Sequence, residues 1–289
     1  MSFASPLRYP GGKRKLAKFV RDSIIENDIV GGTYIEPFAG GASVALFLLF
    51  NEYVNRIIIN DIDRSIYAFW YSVLNHTDEL CKKIRDTPIT VEEWETQKVF
   101  QRDKQNASLL ELGFSTFFLN RTNRSGIIKG GLIGGKKQNG SWSMDVRFNK
   151  NDLIKRIEKI ALYNQRIDLY GDDAIVLLNR IRVHDIDERS LIYFDPPYYN
   201  QGSALYVNHY SNEDHERLAN YIQALDCKWM LTYDYTPQII QMYNNVESRL
   251  LSLNYTAAKK EKGLELLAFS NNFIIPQQKY SSVKIDFLG

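Results

Sequence analysis

Cys81 and Cys227 are the chain's only thiols, too few for a disulfide framework. Neither sits at metal-ligand spacing, and the four histidines (His76, His184, His209, His215) are scattered, so no zinc constellation can be read. Long apolar runs are missing as well. The most apolar stretch, 42–50, falls far short of the roughly 20 residues a membrane span needs. The opening MSFASPLRYPGGK lacks a signal-peptide core, and neither low-complexity tracts nor internal repeats are visible. These absences predict a metal-free cytoplasmic protein that does not engage a membrane. With 44% hydrophobic and 24% charged residues over 289 positions, an ordinary globule of one large or two smaller domains is expected.

A strong overall charge is also lacking, but the net +2 is unevenly spread. Residues 121–159 hold ten basic side chains against three acidic ones, +7 in all, which leaves −5 on the rest. A basic segment on a slightly acidic body fits phosphate binding; a solvated basic face is the alternative.

The stretch Leu191–Tyr199, LIYFDPPYY, organises the remainder. A strand-like apolar run ends abruptly at Asp195-Pro196-Pro197-Tyr198, since consecutive prolines cannot donate to a ladder. An acid, a rigid carbonyl-bearing turn and an aromatic ring are thus placed at a carboxyl edge, where open α/β sheets bind ligands. The exocyclic amine of a nucleobase is a poor nucleophile. The Asp195 carboxylate and the Pro196 carbonyl can each accept one of its N–H bonds, with Tyr198 stacked on the base. A plain surface turn is the competing reading.

The tetrapeptide resembles the catalytic motif of amino-group DNA methyltransferases that use S-adenosylmethionine. With the landmarks below, the chain is similar to the Dam-type (alpha-group) adenine-specific enzymes from Tyr9 to about Asn271. Members that methylate the cytosine amino group share the motif but usually carry serine in place of the leading acid. A DNA-binding homologue without catalysis is the rival from another class.

Thr33–Ala42, TYIEPFAGGA, reads as strand, glycine turn and helix start, the first half of a Rossmann-like unit. The next strand, Arg56–Asn60, ends in Asp61, 21 positions after Gly40, near the usual step to a ribose-binding acid. A dinucleotide dehydrogenase therefore has to be considered, but GxGxxG is absent and Glu36 stands at the mouth of the turn. A carboxylate there repels pyrophosphate and suits a cationic, phosphate-free cofactor such as S-adenosylmethionine. Glu36, Pro37, Phe38, Gly40 and Asp61 are the candidate contacts. Asp63 is a lesser claimant to the ribose, and helix capping is the structural alternative for Asp61. The resemblance implies that Tyr9 and Lys13, in LRYPGGKRKL, lie against the cofactor's methionine part. It also implies that Asp173 meets the adenine amino group, with Asp172 the neighbouring alternative and capping open for both. Ala42 stands where the family ends its turn in glycine.

The expected fold is a three-layer, Rossmann-like methyltransferase: a mostly parallel sheet flanked by helices, with an inserted helical and β-hairpin DNA-recognition domain. The divisions are 1–65 (cofactor-binding part), 66–165 (target recognition) and 166–289 (catalytic domain, continued). Aromatics at helical spacing between 65 and 118 read as core. The glycine-rich, basic stretch 120–148 predicts a hairpin between 127–133 and 142–148, followed by an amphipathic helix over 151–167. Such a ribbon would place Arg121, Asn123 and Arg124 near base edges, and Lys129, Lys136, Lys137 and Arg147 on the backbone. Some relatives insert an aromatic residue after the leading arginine, where this chain has Thr122. A lid over 200–211, a second basic loop over 256–263, and a closing antiparallel pair at 247–255 and 264–271 complete the reading. Tyr233-Asp234-Tyr235 receives no role.

The function expected is site-specific transfer of a methyl group from S-adenosylmethionine to adenine N6 in double-stranded DNA by base flipping. Sulfonium is already an activated donor, so neither a metal nor a separate general base is required. A cytoplasmic enzyme, bacterial or phage-encoded, is expected, monomeric or dimeric on DNA. A cognate restriction endonuclease would be a functional rather than a physical partner.

Overall fold

The computed structural model describes residues 4–9, 11–181, 186–200, 210–254 and 262–287. The centre of the expected lid (201–209, with Tyr206), most of the second basic loop (255–261), Pro10, His184 and His209 lie outside the described residues.

Runs of β-branched and aromatic residues, among them Ile57-Ile58-Ile59 and Leu191-Ile192-Tyr193-Phe194, supply the strands. The strands are β1 (Thr33–Glu36), β2 (Arg56–Asn60), β3 (Ile167–Tyr170), β4 (Ser190–Phe194), β5 (Lys228–Asp234), β6 (Ser248–Asn254), β7 (Lys262–Phe269) and β8 (Val283–Phe287). They form one sheet in the order β3-β2-β1-β4-β5-β7-β6-β8. β1 to β5 are mutually parallel and the last three join antiparallel, so the mostly parallel sheet ends in the closing pair plus β8, which was not anticipated.

Helices cover both faces, which explains the near-continuous apolar runs of the central strands. On one face lie α1 (Ala17–Glu26), α2 (Ser43–Phe50), α3 (Arg64–Asn75), α4 (Thr77–Asp86), α5 (Val91–Arg102), α6 (Leu109–Thr122) and α7 (Lys150–Ala161), whose apolar side chains share a cluster with Tyr34, Ile57, Leu191 and Met230. The other face carries α8 (Ala174–Ile181), α9 (Asn212–Gln223) and α10 (Pro237–Met242), packed on Ile35, Ile58, Ile192 and Phe194. Helices α3 to α7 occupy the stretch between β2 and β3, and their core is continuous with that under the sheet. α6 approaches α3 closely at Gly113, where a Cβ would come within 2.5 Å of the Ala68 carbonyl.

The expected hairpin does not form. Helix α6, started by a Ser108/Glu111 capping box, runs on to Thr122. Beyond it stand a 3-10 turn (Arg124–Gly126), one isolated bridge from Asn123 to Leu132, and successive turns. Left-handed φ at Gly134, Gly135 and Gln138 interrupts any extended run. The amphipathic helix is also shorter than expected, because a 3-10 turn (Asn164–Arg166) separates α7 from β3.

Candidate active site

Strands β1 and β4 are parallel neighbours with Ile35 opposite Ile192, so the Glu36-Pro37 turn and Asp195 leave the sheet at the same edge. From β1 the chain proceeds to β2 and β3 on one side, and from β4 to β5 on the other. This is the topological switch point of the sheet, where open α/β folds bind their ligands.

Residues from distant parts of the chain converge on the proline turn. Lys13, buried, places Nζ 2.7 Å from Asp195 Oδ1, 3.0 Å from the Tyr198 hydroxyl and 3.1 Å from the Gly11 carbonyl. Its three N–H donors are thereby aimed, as a buried ammonium requires. Lys13 thereby bridges the amino-terminal motif to the proline turn. Glu265 of β7, buried, accepts from the Tyr198 hydroxyl and lies 3.7 Å from Lys13 Nζ. Thr232 of β5 donates to Asp195 Oδ1 at 3.0 Å. Burial raises the Asp195 carboxyl above the usual range; Lys13 pulls it down and the Glu265 charge pushes it up.

Asp234 receives a role that its sequence context did not suggest. Its two carboxylate oxygens accept from the backbone N–H of Tyr199 (2.9 Å) and of Asn200 (3.0 Å), pinning the chain where it leaves the proline turn.

The cofactor side is built around the glycine turn. Gly40 has φ +46°, and a Cβ there would come within 2.6 Å of the Tyr9 ring, so the ring lies against the bare turn. Asp61 Oδ2 accepts from Gly40 N (3.0 Å), and Oδ1 accepts from Asp63 N (2.9 Å). Asp63, not Asp61, caps α3, accepting from Ser65 N, and pairs with Lys104. Burial, with the Asp63 charge second, pushes Asp61 up to about 7. Glu36 Oε1 accepts from the Tyr34 hydroxyl and Ala45 N, both at 3.1 Å, the latter in the first turn of α2. Burial outweighs these bonds and pushes Glu36 up to about 8, and the Asp195 charge is felt there too.

Asp173 accepts from Ile175 N at 2.9 Å and so caps α8, whereas Asp172 pairs with Arg180. Asn60, fully buried, joins three loops of this edge by donating to the Pro37 and Asp172 carbonyls and accepting from Asp172 N. The Tyr210 ring meets Phe38 edge-on at 6.2 Å, and burial, with the Asp173 charge next, raises its hydroxyl above the ordinary tyrosine value. Acids and aromatic faces therefore dominate this side, a lining that would suit a cationic, phosphate-free cofactor.

Arg121 and Asn123, expected at base edges, lie inside the fold. Arg121 donates to the Pro6 carbonyl, and burial, with Arg156 next, pulls it down to about 9. Asn123 accepts from Trp94 Nε1 and donates to the Ile127 and Ile128 carbonyls. Thr122 is buried, bonded to the Phe118 carbonyl. Arg124, Lys129, Lys136, Lys137 and Arg147 are exposed. Asn120 joins this segment to the amino-terminal motif, exchanging bonds with the Arg8 backbone (2.8 and 2.7 Å) and donating to the Gly126 carbonyl.

Of the residues that sequence reasoning missed, Glu265 left a trace: a lone acid inside the apolar run Leu264–Phe269. Thr232 and Asn60 left none, since neither type is unusual at a strand end.

Among the described residues no cluster of three or more His, Cys, Asp or Glu is arranged to hold a metal, and no helix is long and apolar enough to cross a membrane.

A mostly parallel sheet flanked by helices, with acids and the Asp-Pro-Pro-Tyr turn at its switch point, is consistent with the class of Rossmann-like methyltransferases. More particularly, residues 9–261 match the family described as D12 class N6 adenine-specific DNA methyltransferase, and the chain belongs to that family. It is thus an adenine-specific DNA methyltransferase, and membership implies a DNA substrate and S-adenosylmethionine as methyl donor. A curated relative, the Type II methyltransferase M.MjaIII of Methanocaldococcus jannaschii, is 28% identical over 255 residues, covering 79% of this chain and 83% of the relative. A solved structure of a Legionella pneumophila protein of family DUF519 aligns over 93% of this chain and 85% of its own, at 13% identity and TM-score 0.34.

Proposed function

We propose that the protein methylates N6 of adenine within a specific sequence of duplex DNA, acting on a base swung out of the stack. Extrusion costs a few kcal/mol and is needed because the reacting nitrogen is buried in the duplex. Asp195 and the Pro196 carbonyl accept the two amine N–H bonds, Pro197 keeps the turn rigid, and the Tyr198 ring supports the base. S-adenosylmethionine supplies a methyl carbon activated by its sulfonium. Tyr9, Glu36, Pro37, Phe38, Gly40, Asp61 and Asp173 line its place, with Glu36 towards the cationic end and Asp61 towards the ribose. The chain's own contribution is alignment and charge at a partly buried edge, the usual source of rate in such a step. Asp195 takes up the departing proton or passes it to water.

The helices and turns of 66–165 serve as the recognition part. Arg124, Lys129, Lys136, Lys137 and Arg147 meet the DNA, while Arg121 and Asn123 shape the segment from within. The name of the Methanocaldococcus relative, a Type II methyltransferase, supports a modification role beside a cognate restriction endonuclease. The enzyme acts in the cytoplasm, as a monomer or a dimer on DNA.

The observation that carries this reading is the common exit of Glu36 and Asp195 from adjacent parallel strands. Asp195→Ala is expected to lower turnover by about a thousandfold or more, since it removes an acceptor from the reacting nitrogen. S-adenosylmethionine binding by calorimetry should stay within a few-fold. Full activity in a radiolabelled methyl-transfer assay would refute the assignment.

A further inference from the structure

Among the described residues, the two side chains that donate to the Asp195 carboxylate reach the same oxygen. Lys13 Nζ is 2.7 Å and Thr232 Oγ1 3.0 Å from Oδ1, and no described residue donates to Oδ2. Behind Thr232 stands a second hydroxyl, that of Tyr193, 2.8 Å from Thr232 Oγ1. A threonine hydroxyl has one proton. Because that proton is directed at Asp195, the Thr232 oxygen must accept from Tyr193, so the pair reads in one direction: Tyr193 to Thr232 to Asp195.

The three residues stand on one side of adjacent strands. Tyr193 precedes Asp195 by two positions, and Tyr193 pairs with Met230, itself two positions before Thr232. Both hydroxyl-bearing side chains are buried, beside the charged groups of Lys13, Asp195 and Glu265. Valine and phenylalanine would fill the same space, so packing alone does not call for the hydroxyls.

We propose that Thr232, oriented by Tyr193, is a positioning residue for methyl transfer. Together with Lys13 it saturates Asp195 Oδ1 and turns Oδ2 towards the target amine. The inference rests on the reading that Asp195 accepts an N–H of that amine.

The test uses the full chain, a methylatable duplex and radiolabelled S-adenosylmethionine. Thr232→Val should lower kcat by about ten- to a hundredfold, as loss of a hydrogen bond to a charged group does, with KM for both substrates within about twofold. Thr232→Ser, which keeps the hydroxyl, should stay within about threefold of the parent. The double variant Tyr193→Phe/Thr232→Val leaves no orphaned hydroxyl, so it should melt near the parent temperature yet stay as slow as Thr232→Val. An unchanged kcat in Thr232→Val, or a serine variant as slow as the valine one, would overturn the proposal. So would a double variant that regains both stability and rate. If Asp195→Ala is inactive while Thr232→Val is fully active, only this inference fails; if Asp195→Ala is active, the reading beneath it fails first.

Discussion

The sheet edge at the proline turn and the basic segment after α6 treat their charges in opposite ways. At the edge, Lys13, Asp195, Tyr198, Thr232 and Glu265 come from four separate stretches of the chain and hold one another in a largely buried cluster. In the segment, Lys129, Lys137 and Arg147 point outward from turns, and Lys136 meets Glu95 and the Trp94 ring at the surface. The sheet dictates where the first set stands, whereas the second is held by local turns and by Asn120 and Asn123. Groups that must meet a reacting atom are fixed by long-range packing. Groups that meet a phosphate backbone need only be near it, because screened attraction tolerates loose geometry.

Lys13→Met tests the first half of the contrast most severely. It leaves Asp195 and Glu265 facing each other without their cation, and breaking a buried pair costs about 3 kcal/mol or more. Denaturant unfolding should show that loss, together with a turnover about a hundredfold lower from the misdirected carboxylate. Glu reversals at Lys136 and Lys137 should weaken DNA binding at every sequence by about tenfold while the melting temperature holds. Removing each lysine–phosphate pairing should flatten the salt dependence by about 0.9 in log–log slope, whereas Arg121→Met, which alters a buried side chain, should leave the slope alone. A slope that changes with Arg121 and not with the lysines would reverse the comparison.

A smaller effect concerns Glu36. Its folded value of about 8 lies above the ordinary 4.5, so the folded state holds the proton more tightly than the unfolded one. The stability this contributes is fully present below about pH 4.5 and is lost as pH rises through 8. Melting curves of the free protein should fall across that window, and Glu36→Gln should flatten the fall. The mildest change is Ala42→Gly. Ala42 adopts φ +45° at the start of α2, a left-handed conformation that costs a Cβ-bearing residue about 1 kcal/mol, so glycine should stabilise by up to that amount. A drop in stability on denaturant unfolding would show that the methyl group's packing outweighs the relief.

Much of this layout is legible in the sequence. The proline pair stops β4 where the ladder ends, the TYIEPFAGG stretch announces strand, turn and helix, and the 21-residue step leads to an acid that braces Gly40. The hairpin is not legible, because glycine with alternating polar residues fits a ribbon and a chain of turns equally well, and only the left-handed φ values choose between them. Nor is the burial of Arg121 and Asn123. Polar residues at the end of α6 look like an exposed turn, whereas the helix carries them into the interior.

The sequence by itself determined the local chemistry: which strand ends in an acid, which turn can lie bare beneath a ring, and which stretch carries the positive charge. These follow from proline, glycine and ionisable side chains acting over a few neighbouring positions. Only the tertiary structure decided that Lys13, Thr232, Asp234 and Glu265 serve the same turn, since they lie as many as 252 positions apart and meet only through sheet pairing and burial.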